Sequence, residues 1–309
     1  MHNDSAPSLI LVKTALDKLL DEATIELAVT GKATAKDEAV FTQDSATNAA
    51  VVTSVIGAGG YFQSTTDDVA LSNEAQVTAA AQKTSLVVQF KKNLPISRTF
   101  MADQQLSAVS KAVRQQALTW GASQDRNAFS VYSLGFTTQL TIDGIALFSN
   151  SHVNQNGDTV DNLETGALTD PNLNIMVNSL RTQLSQTGVI LGYEPKFLLT
   201  PSILHQTGMV TAKSVLRAGG ANNDLNYFSE MYPGMKVVYS PFLDATSTTA
   251  FFLGGQTHGV YRFEREAFFT DLVDWKVSIN DQYMYKMRAR EVVDSIEYSG
   301  LVGSSGTTA

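Results

Sequence analysis

The chain has 309 residues, of which 43% are hydrophobic and 17% are charged, with a net charge of −8 and no cysteine. This length and hydrophobic content predict a folded protein with a large core rather than a disordered chain. The lack of cysteine excludes disulfides, thiolate catalysis and zinc–thiolate sites, and the acidic balance argues against a basic groove for nucleic acid.

The N-terminal region predicts an amphipathic helix. Residues 8–29 carry apolar side chains three or four positions apart, beginning with Leu9, Val12 and Leu16, and this is the spacing of one helix face. Gly31 ends the pattern. A helix with one apolar stripe needs a partner surface to cover it.

A β-prone region follows this helix. Short β-prone pieces at 50–56 and 76–81 interrupt a tract rich in Ala, Thr, Ser, Gln and Asp. Residues 84–92 predict a strand, and Pro95 is expected to end it because proline lacks a backbone donor. Three apolar side chains are expected on one face of this strand: Leu86, Val88 and Phe90.

The clearest helix is predicted at 102–133. Asp103 is a suitable N-cap, and apolar residues then recur every three or four positions as far as Tyr132. At 1.5 Å per residue, a helix of about thirty residues extends roughly 45 Å. Such a length is typical of a strut that connects separate parts of a fold.

The second half of the chain alternates helices and strands. Helices are predicted at 170–184, capped by Asp170, and from Pro201 onward. Strands are predicted at 196–200, 235–241, 249–255, 259–265, 275–279 and 283–294. The Gly-, Ser- and Thr-rich end, 300–309, is expected to be frayed. The whole pattern predicts an α+β chain with long excursions.

The polar tract at 149–166 raises the question of a catalytic or metal site, because it contains His152 and Asp158. No histidine pair in the chain has the spacing of a zinc site, and no nucleophile elbow, P-loop or kinase motif occurs. We interpret the tract as a surface loop and His152 as a solvated side chain. No catalytic residue, cofactor or metal ligand is predicted; a metal-dependent hydrolase built around His152, His205 and Asp158 is the alternative from another functional class.

Several segments between 94 and 306 occur in a characteristic order. The first is residues 94–135, with Asp125 near the end of the long helix and Gly135 after it. The others are ALFSNSHVN (146–154), FLLTPSILHQTGMVTAKS (197–214), NNDLNYF (222–228), VVYSPFLDATSTTAFFLG (237–254) and YKMRAREVVDSIEYSGLVGSSG (285–306). In this order they resemble the major capsid proteins of tailed bacteriophages with the Hong Kong 97 fold, and most closely the Mu-like major head subunits.

The resemblance implies a division into four parts. These are an N-terminal arm (1–45), an extended E-loop hairpin (46–95), a peripheral (P) domain (96–149 and 255–309, with its spine helix at about 103–133) and an axial (A) domain (150–254). An isolated hairpin cannot bury its own apolar face, so neighbouring subunits are expected to cover the hairpin and the arm. The residues expected at these contacts between subunits are Leu9, Val12, Leu16, Leu86, Val88, Phe90, Lys91 and Lys92.

The resemblance also implies a structural function without enzymatic activity. The chain would be a major capsid protein that self-assembles into hexamers and pentamers of an icosahedral shell around the double-stranded DNA of a tailed phage. It would be assembled in the host cytoplasm and found in the virion. Its further expected partners are scaffolding, decoration and portal proteins and the packaged DNA, bound without sequence specificity, but no membrane. An encapsulin-like nanocompartment shell is the alternative within the same fold.

Overall fold

The computed structural model describes residues 13–18, 31–57, 78–99, 106–217, 224–274, 276, 280 and 282–306. The strands are β1 (Thr42–Ser45), β2 (Ala50–Gly57), β3 (Thr78–Leu86), β4 (Val88–Ser97), β5 (His152–Val153), β6 (Thr159–Val160), β7 (Leu163–Glu164), β8 (Pro195–Thr200), β9 (Lys236–Tyr239), β10 (Phe251–Gly255), β11 (Val260–Val273), β12 (Gln282–Ser295) and β13 (Leu301–Ser304). The helices are α1 (Leu106–Ser133), α2 (Asp170–Thr182), α3 (His205–Lys213) and α4 (Tyr227–Met231). Residues 13–18 are also helical.

The first sheet has the strand order β1-β11-β12-β4. The long antiparallel pair of β11 and β12 forms its centre, and β4 runs antiparallel to β12 at its edge. Side chains alternate along β12: Tyr285, Met287 and Ala289 are buried, whereas Lys286 and Arg288 are exposed. One face of this sheet is therefore apolar and available to a helix.

The spine helix α1 supplies that helix and also reaches the second sheet. Its 28 residues correspond to about 42 Å. Its first half joins one core cluster with residues of the first sheet, including Val109, Val113, Ala117, Tyr285 and Met287. Its second half joins another core cluster with residues of the second sheet, including Ala128, Phe129, Tyr132, Phe252 and Leu301. The helix therefore acts as the strut that its length predicted.

The second sheet has the strand order β7-β13-β10-β8-β9. β10 pairs antiparallel with both β8 and β13, whereas β9 and β7 are parallel to their neighbours. Helix α2 covers one face with the buried side chains Leu173, Met176, Val177 and Leu180. The helix begins after Thr169, whose hydroxyl accepts a hydrogen bond from the Asn172 N–H. Thr169 is thus the N-cap, rather than Asp170 as predicted.

Two other predictions about strand ends were wrong. Pro95 does not end β4, which continues through it to Ser97. β4 lies at the edge of its sheet, where a missing N–H is tolerated. The C-terminal end was predicted to be frayed from 300 onward, but Leu301–Ser304 forms the buried strand β13 inside the second sheet. The prediction at 275–279 falls almost entirely outside the described residues.

Across the described part of the chain, no helix has the length and apolar character needed to cross a membrane.

Candidate assembly surfaces

The hairpin formed by β2 and β3 exposes apolar side chains. Its strands pair from Ala50 opposite Leu86 to Gly57 opposite Thr78, and among the described residues no third strand joins them. Val52 is 59% exposed and Leu86 is 69% exposed. At the start of the next strand, Val88 is 48% exposed. These three side chains, the hairpin face, lack apolar cover of their own.

A partly buried lysine fixes the base of this hairpin to the first sheet. The Lys83 ammonium donates to a carboxylate oxygen of Asp294 and to the Leu140 and Ser295 carbonyls, each at 2.6 Å. The Ser85 hydroxyl donates to the other Asp294 oxygen. Because these bonds lie at one end of the hairpin, they fix its direction and leave the hairpin face uncovered.

The predicted contact residues after Leu86 and Val88 lie in different environments. Phe90 is half-buried and packs edge-on against Trp120 of the spine helix, with ring centres 5.8 Å apart. Lys91 and Lys92 are exposed. Phe90 therefore turns toward the core of its own chain, whereas the two lysines remain accessible.

The predicted contacts of the N-terminal arm are described only in part. Leu9 and Val12 lie outside the described residues. Leu16 is only 5% exposed and belongs to the core cluster of the first sheet and the spine helix. Next to it, Asp17 accepts hydrogen bonds from the Tyr285 and Thr270 hydroxyls at 2.6 and 2.7 Å. The apolar stripe of the arm is covered at Leu16 by its own chain.

The pKa of Asp17 reflects this docking. Partial burial acts to raise the pKa, but bonds from Lys13, Tyr285 and Thr270 together hold it below its ordinary value. The carboxylate is therefore the favoured form where the arm meets the first sheet.

A second exposed apolar surface was missed by the sequence reasoning. It surrounds α3 and α4 and includes Ile203, Met209, Val210, Val215, Leu216, Leu225, Tyr227 and Met231. Val215 and Leu225 are 71% and 68% exposed. The sequence offered one signal of this surface. Val215 and Leu225 lie in short polar segments and belong to no periodic apolar pattern that would place them in a core.

The prediction that His152 is a solvated surface residue was wrong. Its side chain is completely buried and stacks on Tyr298, with ring centres 4.4 Å apart. Nδ1 lies 2.7 Å from an Asp143 carboxylate oxygen, and Nε2 lies 3.2 Å from the Leu147 carbonyl oxygen. Both ring nitrogens therefore have hydrogen-bond partners, as is usual for a buried polar group. Through these contacts His152 holds the loop together.

The other residues of the hydrolase alternative do not join His152 in a metal site. Among the described residues, no group of three or more His, Asp, Glu or Cys side chains could hold a metal ion. His205 packs against the Tyr239 ring, and burial lowers the pKa of its imidazole. Asp158 is exposed and accepts a hydrogen bond from Asn154. Each has a local structural role.

The fold is that of capsid subunits of the Hong Kong 97 type, and three solved structures illustrate this. A virus-like particle from Pyrococcus furiosus is 10% identical with a TM-score of 0.54, covering 94% of this chain and 98% of that one. The capsid of an empty GTA particle is 11% identical with a TM-score of 0.53, covering 90% and 91%. The capsid of Myoviridae phage XM1 is 12% identical with a TM-score of 0.51, covering 89% and 92%. Identities this low show the shared fold alone.

The family follows from the sequence. Residues 80–303 match the family described as phage capsid protein, and because this is well over half of the chain, the chain belongs to that family. No curated protein sequence matches it.

Membership of this family makes the chain a major capsid protein: a structural component of a virion and not an enzyme. It favours a phage capsid over the encapsulin-like alternative. The closer relation to Mu-like head subunits stays a prediction.

Proposed function

We propose that copies of this chain associate through the hairpin face into hexamers and pentamers, which close an icosahedral shell around the double-stranded DNA of a tailed phage. The observation that carries this proposal is the hairpin of β2 and β3, with Val52, Leu86 and Val88 exposed. An isolated two-stranded hairpin is at best marginally stable in water. A neighbouring copy that covers it gains apolar burial, and repeated contacts of this heterologous kind close rings.

The two sheets support the domain division implied by the resemblance, with one adjustment. The spine helix and the strands β11 and β12 would form the P domain, and the second sheet with α2 and α3 would form the A domain. β13 pairs with β10 in the second sheet, so we assign 301–304 to the A domain rather than to the P-domain range of 255–309. The N-terminal arm (1–45) and the E-loop (46–95) keep their bounds.

The charge of the chain supports a container for DNA. With a net charge of −8, a shell of many copies would not bind the phosphate backbone tightly through general electrostatics. The packaged genome could then move during filling and release. Scaffolding, decoration and portal proteins are the further partners we propose, with assembly in the host cytoplasm.

The assembly experiment compares the wild-type chain with the triple variant V52S/L86S/V88S. We expect the wild type to form closed particles in negative-stain electron micrographs and to sediment in the megadalton range. The triple variant is expected to remain as small species with wild-type secondary structure, because serine removes the apolar area that the neighbour would cover.

A matched control is Val153→Ser, which changes a side chain of similar exposure (47%) away from the hairpin. This control should still form particles. Particles from the triple variant with wild-type yield would contradict the hairpin contact. A wild-type chain that stays monomeric at high concentration would contradict the shell itself.

A further inference from the structure

The face of the first sheet that points away from the spine helix carries exposed cations. Lys286 and Arg288 alternate along β12 with side chains that are buried in the cluster beside α1, so both lie on the opposite face. On β4, Lys91 lies directly opposite Arg288 and is exposed as well. We call these three side chains, Lys91, Lys286 and Arg288, the cationic face.

The subunit leaves much of this positive charge without a partner. Arg288 pairs with Glu266, but neither lysine has an ion-pair partner among the described residues. Asp271 lies opposite Lys286 on β11, yet no ion pair of the described structure joins the two. Like charges that lie directly opposite each other, as Lys91 and Arg288 do, destabilise a sheet. Carboxylates supplied by another molecule would therefore stabilise the cationic face.

The surroundings of the cationic face favour a protein partner over nucleic acid. Phe269 lies opposite Arg288 on β11 and is 53% exposed, and Pro95 is exposed on β4. Aromatic side chains and arginine are enriched at protein interfaces. With a net charge of −8, the chain as a whole repels a polyanion. The partner that fits is a protein surface with carboxylates.

The same chain carries such a surface at the β7 edge of the second sheet. Residues 149–168 contain Asp158, Asp161 and Glu164 but no lysine or arginine, and no ion pair of the described structure neutralises these three side chains, which we call the acidic edge. β7 is an edge strand, and both aspartates are exposed. Burial and the charge of Asp161 raise the pKa of Glu164. The carboxylates of the acidic edge therefore repel each other and would be stabilised by cations.

The two charged surfaces do not neutralise each other within one subunit. The cationic face belongs to the first sheet and the acidic edge to the second, and among the described residues no ion pair joins them. A chain that carries both halves of a complementary contact can bind the next copy head to tail, and contacts of this kind close rings. Because the chain is a capsid protein, a neighbouring copy is the partner at hand.

We propose that the cationic face of one subunit binds the acidic edge of the next subunit, with Lys91 and Lys286 paired to its carboxylates. This inference rests on the proposed shell and adds a charged contact to the apolar contact of the hairpin face. Complementary charges fix which side of each subunit meets the next one and speed their association.

Charge reversal with reciprocal rescue tests this pairing. K91E/K286E and D158K/D161K should each slow particle formation, followed by light scattering at low salt, at least roughly tenfold, because like charges then meet at the contact. The combined variant K91E/K286E/D158K/D161K restores opposite charges and should assemble within about twofold of the wild-type rate.

The matched control is K36E/K196E, which reverses two exposed lysines outside both surfaces and changes the net charge as much as K91E/K286E does. It should assemble at the wild-type rate, and near-ultraviolet circular dichroism checks the fold of each variant. Wild-type rates for both reversed variants, or no recovery in a folded combined variant, would overturn the pairing and leave the shell in place. A wild-type chain that stays monomeric would contradict the shell and this contact together.

Zero-length cross-linking of wild-type particles is a second measurement that needs no variant. A carbodiimide joins a lysine amine to a carboxylate in contact with it, and the reagent takes up the water that is lost. In particles assembled from equal amounts of unlabelled and isotope-labelled chains, mass spectrometry should find the cationic face joined to the acidic edge in peptides with one labelled half. Lys83 and Asp294, 2.6 Å apart in one chain, are the internal control and should give no mixed peptides. The control cross-link without the mixed peptides would overturn the proposal.

Discussion

At His152, the hydrogen-bond partners of the ring are both acceptors. The Asp143 carboxylate faces Nδ1 and the Leu147 carbonyl faces Nε2, so the ring is held from both sides. Burial acts to raise the pKa of Asp143, but the bonds from His152, Thr141 and the Ile145 N–H hold it below its ordinary value. The carboxylate and the ring therefore form a hydrogen-bonded pair inside the loop instead of on its surface.

The variant Asp143→Asn should lower the free energy of unfolding by about 2 kcal/mol at neutral pH, because a neutral amide replaces the carboxylate that is bonded to His152, Thr141 and the Ile145 N–H. Urea denaturation would measure this loss. Because the folded-state pKa of Asp143 is lowered, its contribution is complete above the ordinary carboxyl pKa and is lost as the pH falls below about 4. The exposed Asp271→Asn is the control and should stay within about 0.5 kcal/mol of wild type. A wild-type stability for Asp143→Asn would refute the role assigned to the pair.

The burial of His258 predicts that stability depends on pH. Burial lowers its pKa to about 4, although a hydrogen bond to the Ala39 carbonyl acts to raise it. The unfolded chain keeps a pKa near 6.5 and takes up the proton first, so stability is complete above about 6.5 and falls by up to about 3 kcal/mol as the pH drops toward 4. Unfolding curves at several pH values should show a shallower loss for His258→Gln. An unchanged slope in that variant would mean that another group is responsible.

At the scale of single elements, the hydrogen bonds of Lys83 to Asp294, Leu140 and Ser295 are expected to hold the hairpin in place. Lys83→Met removes three hydrogen bonds and leaves Asp294 with only Ser85, Gln139 and the Ser295 N–H as donors. Bonds to charged groups each contribute about 1.5–3 kcal/mol, so β3 should exchange its amide hydrogens faster than in the wild type. Hydrogen exchange read by mass spectrometry would measure this. Lys196→Met, at an exposed lysine, should leave the exchange of β3 unchanged; equal protection in Lys83→Met would contradict the anchoring.

The elements that the sequence predicted best are those with a regular apolar pattern. The spine helix was predicted at 102–133 and is described from 106 to 133, and the strand predicted at 283–294 corresponds to β12, Gln282–Ser295. The strand end predicted at Pro95 was wrong because β4 lies at a sheet edge, where a residue without an N–H is tolerated. The position of a strand within its sheet depends on the topology, which the local sequence does not reveal. Spacing alone could not place Phe90 against Trp120 either, since that contact joins distant segments.

The predictions of a solvated His152 and a frayed C-terminal end were wrong because polar and small residues do not by themselves indicate exposure. A polar loop can fold over its own histidine when a carboxylate and a carbonyl satisfy the ring. A Gly-, Ser- and Thr-rich strand can lie in a core when neighbouring rings need space: a Cβ at Gly303 would stand 2.6 Å from the Phe148 ring. Leu86 and Val88 were predicted to lie at contacts between subunits, and both are exposed. Their contact with a neighbouring subunit stays a prediction.

At the scale of the whole molecule, the two sheets share the spine helix, and the C-terminal strand β13 joins the two core clusters of the second sheet. Leu301 belongs to the core cluster that includes Phe129 and Tyr132 of the spine helix, and Val302 belongs to the cluster formed by α2 on the other face of the second sheet. β13 therefore lies between the two main cores of this half of the molecule. Folding of the second sheet is expected to depend on the last residues of the described chain.

A pair of C-terminal deletions tests this dependence. Removal of 301–309 deletes β13, with its pairing to β10 and β7 and its two buried apolar side chains. Those side chains alone contribute about 1.5–3 kcal/mol each, against a typical net stability of about 5–15 kcal/mol. We expect this variant to lose cooperative thermal unfolding and near-ultraviolet circular dichroism, whereas removal of only 307–309 should preserve both. If the shorter chain unfolded cooperatively at the wild-type temperature, β13 would be dispensable and the packing described for both clusters would be wrong.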